Sequence, residues 1–181
     1  MGARGLGNGR RKGYGWGMTL PSRIIARPLE ATAFARFGDV IAPKSAPDKL
    51  INAGMCGRHH DLARLDFSDG QAGISLFDAK ARNLPLRVDL LERHPAGSQA
   101  FLPLNGVAMI VVVAEDDGGP TRPQAFITAP GEGVNLLRGT WHGVLAPLGS
   151  PGQYAVVDRI GAGANLEEVP LDPPLWVDPP A

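Results

Sequence analysis

The chain has 181 residues and a formal net charge of zero, with 44% hydrophobic and 20% charged residues. This length and balance suit one globular domain with a sizeable core. The longest wholly apolar run, residues 107–114, is far too short to cross a bilayer, so we expect no membrane partner. The single cysteine, Cys56, excludes an internal disulfide and favours a reducing, cytoplasmic location.

Basic charge is concentrated at the start of the chain. Residues 1–17 contain seven glycines, four basic residues and no acidic residue, so we predict a disordered extension there. Met18 opens the first well-patterned segment and is a candidate start. Residues 18–181 carry 14 basic and 18 acidic residues, a balance that gives no reason to expect a nucleic-acid partner. We predict a main domain over 18–170.

Glycine (24) and proline (17) are frequent and separate short apolar runs, which is typical of an all-β fold with minor α content. A short amphipathic helix is predicted over 29–38, with Gly38 as its left-handed C-cap. Residues 171–181 form a Pro-rich tail that is expected to be extended. From residue 73 onward, strands are predicted at 74–79, 86–94, 98–104, 107–114, 124–129, 133–138, 142–148 and 153–160.

Polar side chains interrupt the strand pattern between residues 90 and 106. Alternation places Glu92 and His94 on one face of their strand, and Gln99 near the start of the next. If the two strands form a hairpin, these three side chains converge on one inward patch. His142 follows a glycine-containing turn after a strand, in a position similar to that of His94. Burial of unpartnered polar groups is costly, so we favour a functional site over a purely structural cluster.

The spacing of these residues resembles the two motifs of the cupin superfamily, whose members are small β-barrels. The strings are "ERHPAGSQAFLPLNG" (92–106) and "GEGVNLLRGTWH" (131–142). The resemblance implies a cupin-like double-stranded β-helix barrel with a short N-terminal helix. By this resemblance, the four metal-binding positions of that superfamily are occupied here by Glu92, His94, Gln99 and His142.

The ligand set departs from the usual one, because Glu replaces one His and Gln replaces the Glu. Two imidazoles and a carboxylate still suit a divalent cation, Ni²⁺ or a similar ion, although a neutral Gln is a weaker ligand. Acid–base catalysis by Glu92 and a histidine without metal is the alternative. The sequence leaves the choice of cofactor open.

Longer strings resemble the ureidoglycolate lyase family, also named ureidoglycolate hydrolase. The resemblance runs from about Arg27 to Glu168 and is most specific in "LERHPAGSQAF" and "GVNLLRGTWH". It implies a homodimeric enzyme of purine and allantoin breakdown that splits ureidoglycolate into glyoxylate and urea. Leu136 and Leu137 stand where a polar pair such as Tyr-His is expected, which makes the second motif more apolar.

That reaction needs a base for the hydroxyl proton and an acid for the departing urea nitrogen. Glu92 or His142 is predicted as the base, and His94 as the acid or as an orienting group. Predicted substrate-binding residues are Arg58, His60, Arg138, Trp141 and Asp158. The alternatives are another metal-dependent cupin enzyme, such as an isomerase or dioxygenase, or a non-catalytic protein that binds small acids.

Overall fold

A computed structural model describes residues 22–181, and nearly all of its regular structure is β-strand. The predicted extension over 1–17 and the candidate start at Met18 lie outside the described residues. The elements in chain order are β1 (Arg23–Pro28), α1 (Ala31–Phe34), β2 (Gly38–Ile41), β3 (Lys49–Ile51), β4 (Cys56–Arg58), β5 (Gln71–Ala79), β6 (Leu86–Arg93), β7 (Gln99–Pro103), β8 (Met109–Ala114), β9 (Gln124–Ile127), β10 (Gly133–Leu136), β11 (Trp141–His142), β12 (Ala146–Pro147), β13 (Gly152–Ile160) and β14 (Glu167–Asp178).

A seven-stranded sheet has the order β11-β6-β14-β1-β9-β8-β12, and β11 also pairs with β8. This second pairing closes six of the strands into a barrel, which confirms the predicted all-β, cupin-like architecture. The barrel is narrow, and several small side chains fit inside it beside larger ones. We call this cluster the barrel core; it comprises Ile24, Ala26, Val88, Leu91, Ile110, Val112, Ala114, Ala125, Trp141, Ala146, Leu175 and Val177.

A five-stranded sheet, in the order β2-β10-β7-β13-β5, packs against the outside of this barrel. Because side chains alternate along β8, residues 110 and 112 enter the barrel core and residues 109, 111 and 113 face the second sheet. Burial on both faces explains the uninterrupted apolar run of β8. The inter-sheet core comprises Phe34, Phe37, Phe101, Met109, Val111, Val113, Phe126, Val134, Leu136, Tyr154 and Val156.

The predicted helix over 29–38 is shorter in the structure, where α1 has four residues. Phe34 and Phe37 are both buried, as their spacing predicts. The prediction of Gly38 as a left-handed cap was wrong, because Gly38 begins β2 and pairs with Leu136. A Cβ at Gly38 would overlap the carbonyl oxygen of Asn135, so the close approach of β2 to β10 requires glycine here. Over residues 22–181, no helix has the length and apolar character that crossing a membrane requires.

The Pro-rich C-terminal segment is a central strand rather than only an extended tail. β14 lies between β6, to which it is antiparallel, and β1, to which it is parallel. Its register with β6 shifts between Pro170 and Leu175, which takes Pro173 and Pro174 out of the ladder. Proline has no N–H to donate, so such an irregularity is where a strand accommodates it. β14 thus crosses the predicted boundary at residue 170.

Candidate functional site

β6 and β7 do not form the hairpin that the sequence left open, because the two strands belong to different sheets. β6 is part of the barrel wall, whereas β7 lies in the five-stranded sheet, and residues 94–98 connect them. Glu92 in β6 pairs directly with His142 in β11. Glu92 and His142 therefore come from one wall of the space between the sheets, and Gln99 comes from the opposite wall.

The rings of His94 and His142 lie side by side, with centroids 5.3 Å apart. Nδ1 of His94 donates to the carbonyl oxygen of Asn165 at 2.6 Å, and Nδ1 of His142 donates to that of Gly143 at 3.1 Å. A carbonyl oxygen only accepts, so each bond requires the proton on Nδ1 and leaves a lone pair on Nε2 in the neutral ring. Both Nε2 atoms are buried and have no hydrogen-bond partner among residues 22–181.

Glu92 completes a compact cluster with the two imidazoles. One ligand atom from each of Glu92, His94 and His142 lies within 4.8 Å of the other two, and a Glu92 carboxylate oxygen is 3.8 Å from Nδ1 of His142. Burial raises the pKa of Glu92, nearby His94 lowers it and Glu168 raises it. A carboxylate with a raised pKa binds a proton more readily and is suited to act as a general base.

The donor atoms of this cluster fit a divalent transition-metal ion. Two neutral imidazoles and one carboxylate are a common protein ligand set for such ions. The backbone carbonyls that hold both Nδ1 protons orient the rings, as carbonyl groups do around metal-bound histidines. The unpartnered Nε2 atoms of His94 and His142 are a second indication of a metal site, since buried acceptors without partners are rare in proteins.

The opposite wall brings together Gln99 and Asp158, from β7 and β13 respectively. Gln99 is 7% exposed, and its Nε2 lies 3.5 Å from Oδ2 of Asp158, a long and weak hydrogen bond. Gln99 Oε1 and Asp158 Oδ1 are both buried, and neither has a hydrogen-bond partner within the described part of the chain. This wall therefore offers two free hydrogen-bond acceptors to a ligand between the sheets.

An apolar floor connects the two walls. Leu136 pairs with Gln99 in the β10–β7 ladder, and their side chains lie on the same face of the sheet. Leu136 also lines a small cavity together with His142, Phe101 and Met109. The low polarity of this floor strengthens electrostatic interactions at the imidazoles and the carboxylates. We call the space between the sheets that is bounded by Glu92, His94, His142, Gln99 and Asp158 the interior site.

Four of the predicted substrate-binding residues are not brought to the interior site. Arg58 and His60 are exposed and hydrogen-bond to each other at 2.8 Å. Arg138 is exposed and donates to Asp66 at 2.8 Å. Trp141 lies in the barrel core, on the face of β11 opposite to His142, because adjacent residues of a strand point in opposite directions.

Asn165 is a residue at the site that the sequence did not suggest. Its carbonyl oxygen accepts the Nδ1 proton of His94, and its side-chain oxygen accepts the backbone N–H of Ala96 at 2.7 Å. Asn165 thereby fixes both the imidazole and the connection between β6 and β7. Spacing patterns could not identify it, because the contact to His94 uses a backbone group that every residue carries.

A second depression of about 870 Å³ lies on the surface and is lined by Arg23, Arg27 and Arg122 among others. Its size and arginines suit an anion, but Arg23 already pairs with Asp178 and Arg27 hydrogen-bonds to Gln124. The depression is open to solvent, and no imidazole lines it. We therefore assign the chemistry to the interior site, where buried acceptors have no partner.

The buried imidazole of His142 makes the stability of the protein depend on pH. Burial lowers the pKa of His142 to about 4; the hydrogen bond to Gly143 raises it and nearby His94 lowers it. An unfolded chain binds a proton at this residue below its ordinary pKa of about 6.5, whereas the folded chain stays neutral. The free energy of unfolding should therefore fall as pH falls from about 6.5 to about 4, by up to roughly 3 kcal/mol from this residue.

Guanidinium chloride unfolding at several pH values, with a chelator present, would measure this dependence. The raised pKa of Glu92 acts in the opposite direction, so the informative quantity is the difference between the wild type and His142→Gln. We expect a flatter pH profile in His142→Gln than in the wild type. Parallel profiles for the wild type and His142→Gln would contradict the assignment of a neutral, buried His142.

Comparison with known proteins identifies the family of the chain. The family model described as ureidoglycolate lyase matches residues 21–178. The chain is 68% identical to the ureidoglycolate lyase of Rhodobacter capsulatus, over 86% of this chain and 98% of that protein. It is 49% identical to ureidoglycolate lyase 2 of Rhizobium meliloti, over 84% of this chain and 95% of that protein. It is 47% identical to the ureidoglycolate lyase of Chelativorans sp., over 81% of this chain and 90% of that protein. The chain therefore belongs to the ureidoglycolate lyase family.

Proposed function

We propose that this protein is a ureidoglycolate lyase, which cleaves ureidoglycolate to glyoxylate and urea in purine and allantoin catabolism. The observation that carries the proposal is the cluster of Glu92, His94 and His142 in the interior site of a chain from this family. We place the enzyme in the cytoplasm, where the exposed thiol of Cys56 would stay reduced.

The reaction requires proton transfer and no added water. Ureidoglycolate carries a hydroxyl group, a carboxylate and a ureido nitrogen on one carbon. Removal of the hydroxyl proton lets the oxygen electron pair form the aldehyde C=O bond. The C–N bond then breaks, its electron pair goes to the nitrogen, and a proton delivered there completes urea. One group that accepts the first proton and donates it to the nitrogen is sufficient.

Glu92 is suited to carry that proton. Its carboxylate has a raised pKa because of burial, and it faces the space between the sheets beside His142. The neutral imidazoles are poorer acids, since each Nδ1 proton is already donated to a backbone carbonyl. We therefore assign proton transfer to Glu92, and orientation and ligand binding to His94 and His142.

A divalent cation held by Glu92, His94 and His142 would supply positive charge for the substrate carboxylate and the developing carbonyl oxygen. The two arginines that were predicted to bind the substrate already have hydrogen-bond partners, because Arg58 bonds to His60 and Arg138 bonds to Asp66. A carboxylate has two oxygens, so Glu92 can contribute one to a cation and one to proton transfer. Ni²⁺ or a similar ion matches the imidazole-rich ligand set.

Product analysis tests the proposed activity. Purified protein incubated with ureidoglycolate should release glyoxylate and urea in equal amounts, faster than the spontaneous breakdown of the substrate, without release of ammonia. A chelator should lower the rate if the cation is required, and added Ni²⁺ should restore it. Glyoxylate formation at the spontaneous rate, or ammonia as the nitrogen product, would contradict the proposal.

We further propose that the enzyme is a homodimer, joined through the outer face of the five-stranded sheet. Its edge strand β5 places Ile74 (77% exposed) and Leu76 (74% exposed) on that face. Their neighbours across the β5–β13 ladder, Val157 and Ala155, are also apolar. A contiguous apolar surface on an unprotected edge strand is typical of a subunit interface.

Charge placed on this surface should prevent dimer formation. We expect the double substitution Ile74→Asp and Leu76→Asp to give a monomer in size-exclusion chromatography with light scattering, at protein concentrations where the wild type is a dimer. Met55→Asp is the matched control, because Met55 is 87% exposed between β3 and β4, away from this surface. A variant that stays dimeric would place the interface elsewhere.

A further inference from the structure

We propose that Gln99 and Asp158 bind the ureido group of the substrate and thereby select ureido acids over acids that lack its N–H donors. This inference rests on the proposed lyase function, which names the substrate class but not the groups that recognise it. The two residues lie on the wall opposite to Glu92, His94 and His142, so they can contact a different part of the same molecule.

The free hydrogen-bonding groups of this wall are complementary to a ureido group. Such a group presents N–H donors on both nitrogens and one carbonyl acceptor. Gln99 Oε1 and Asp158 Oδ1 are buried acceptors that no residue from 22 to 181 bonds. The Gln99 amide is bonded to Asp158 only weakly, at 3.5 Å, so its Nε2 protons remain available to a carbonyl oxygen. Two acceptors and one donor on the wall thus match two donors and one acceptor on the ligand.

The local structure holds both side chains in place. Gln99 pairs with Leu136 at the start of β7, and Asp158 lies in β13, which pairs with β7 on one side and β5 on the other. Alternation along β13 puts Asp158 on the same face as Tyr154 and Val156, which belong to the inter-sheet core. Arg159, which points the other way, pairs with Asp69 instead of Asp158. Asp158 is therefore not neutralised by its neighbour.

This arrangement orients the substrate. The carboxylate and hydroxyl groups would face Glu92, His94 and His142, while the ureido group would face the five-stranded sheet. Urea would then leave on the side of Gln99 and Asp158. Gln99, which the cupin motif assigns to a metal-binding position, would serve the substrate instead. A buried acceptor that finds no donor is costly, so a ligand without the matching N–H groups should bind much more weakly.

Isothermal titration calorimetry with uncleavable ligands tests the proposal without relying on turnover. Ureidoacetate keeps the ureido group and the carboxylate but lacks the hydroxyl group. N-acetylglycine replaces the outer NH₂ with a methyl group, and succinamate replaces the inner N–H with a methylene group. We expect the wild type to bind ureidoacetate at least about 10-fold more tightly than either analogue, the scale of one lost hydrogen bond to a charged or buried group.

The substitution Asp158→Asn should weaken ureidoacetate binding at least about 10-fold and leave glyoxylate binding within about twofold, because only the ureido contact is altered. Gln99→Met, which keeps the side-chain volume, should behave in the same way and provides a second test if Asp158→Asn folds poorly. The control is Asp78→Asn, since Asp78 is exposed on β5 and bonds to Gln153. Asp78→Asn should retain wild-type affinity for both ligands.

The outcomes separate this proposal from the lyase function. Equal affinity for the three analogues, or unchanged ureidoacetate binding in both site variants, would overturn ureido recognition even if the wild type cleaves ureidoglycolate. Selective binding of ureidoacetate that both substitutions abolish would support it, even if no cleavage were found. In that second case the protein would bind ureido acids without cleaving them. Only the proposed lyase function would then be wrong.

Discussion

Replacing His142 with alanine is expected to lower kcat/KM for ureidoglycolate at least about 100-fold while the protein remains folded. His142 lies beside Glu92 in the β11–β6 pairing and provides one of the two unpartnered Nε2 atoms of the interior site. Its loss would remove a ligand of the predicted cation and the imidazole that lies 3.8 Å from the Glu92 carboxylate. Steady-state kinetics and metal analysis of the same purified sample would measure both effects.

The matched control for this experiment is His59→Ala. His59 is half-buried in the segment after β4, where its Nδ1 accepts the backbone N–H of Lys44. The control removes an imidazole outside the interior site, so we expect wild-type kcat/KM and wild-type metal content. Thermal unfolding of both variants would establish that they are folded. Wild-type activity in folded His142→Ala would contradict the assignment of His142 to orientation and ligand binding in the interior site.

The substitution Glu92→Gln should separate function from stability even more clearly. Glutamine keeps the shape of the side chain but cannot accept the hydroxyl proton, so we expect kcat to fall at least about 100-fold. The pKa of Glu92 is raised by burial, which means that its charge destabilises the folded protein at neutral pH. With a chelator present, so that no cation contributes, the neutral variant should therefore unfold at the same or a higher temperature than the wild type.

Glu168→Gln is the control for Glu92→Gln, because Glu168 lies directly across from Glu92 in the β14–β6 ladder and is exposed. We expect it to retain kcat within a few-fold, although a small change in the pH profile should follow, since Glu168 raises the pKa of Glu92. If Glu92→Gln lost activity only in proportion to a loss of stability, the residue would be structural and the proposed proton transfer would be wrong.

Local sequence patterns predicted the strands well, because alternation and turn residues act over short distances. The predicted strands at 86–94 and 153–160 agree closely with β6 and β13. The sequence did not predict which strands share a sheet. β6 and β7, for example, are neighbours in the chain but belong to different sheets. β14 was not predicted as a strand, because its prolines disfavour one. Its central position in the sheet depends on long-range pairing with β1 and β6, which no local pattern reveals.

The candidate site was predictable where the motif spacing fixes both strand and face. Glu92, His94 and His142 were nominated from strand alternation and from the resemblance to the cupin motifs, and they lie together in the structure. The hydrogen bond of Arg138 was not predictable, because its partner Asp66 lies on a distant segment whose position only the fold determines. Gln99 and Asp158 were both nominated, but their contact was not predictable, because it depends on the pairing of β7 with β13.

A crystal structure of the protein with glyoxylate and a divalent cation would test the central claim most directly. We expect the cation beside Nε2 of His94 and Nε2 of His142, and glyoxylate between the barrel wall and the five-stranded sheet. Glyoxylate bound instead in the surface depression lined by Arg23 and Arg27, or imidazoles separated from each other and turned to solvent, would contradict the account.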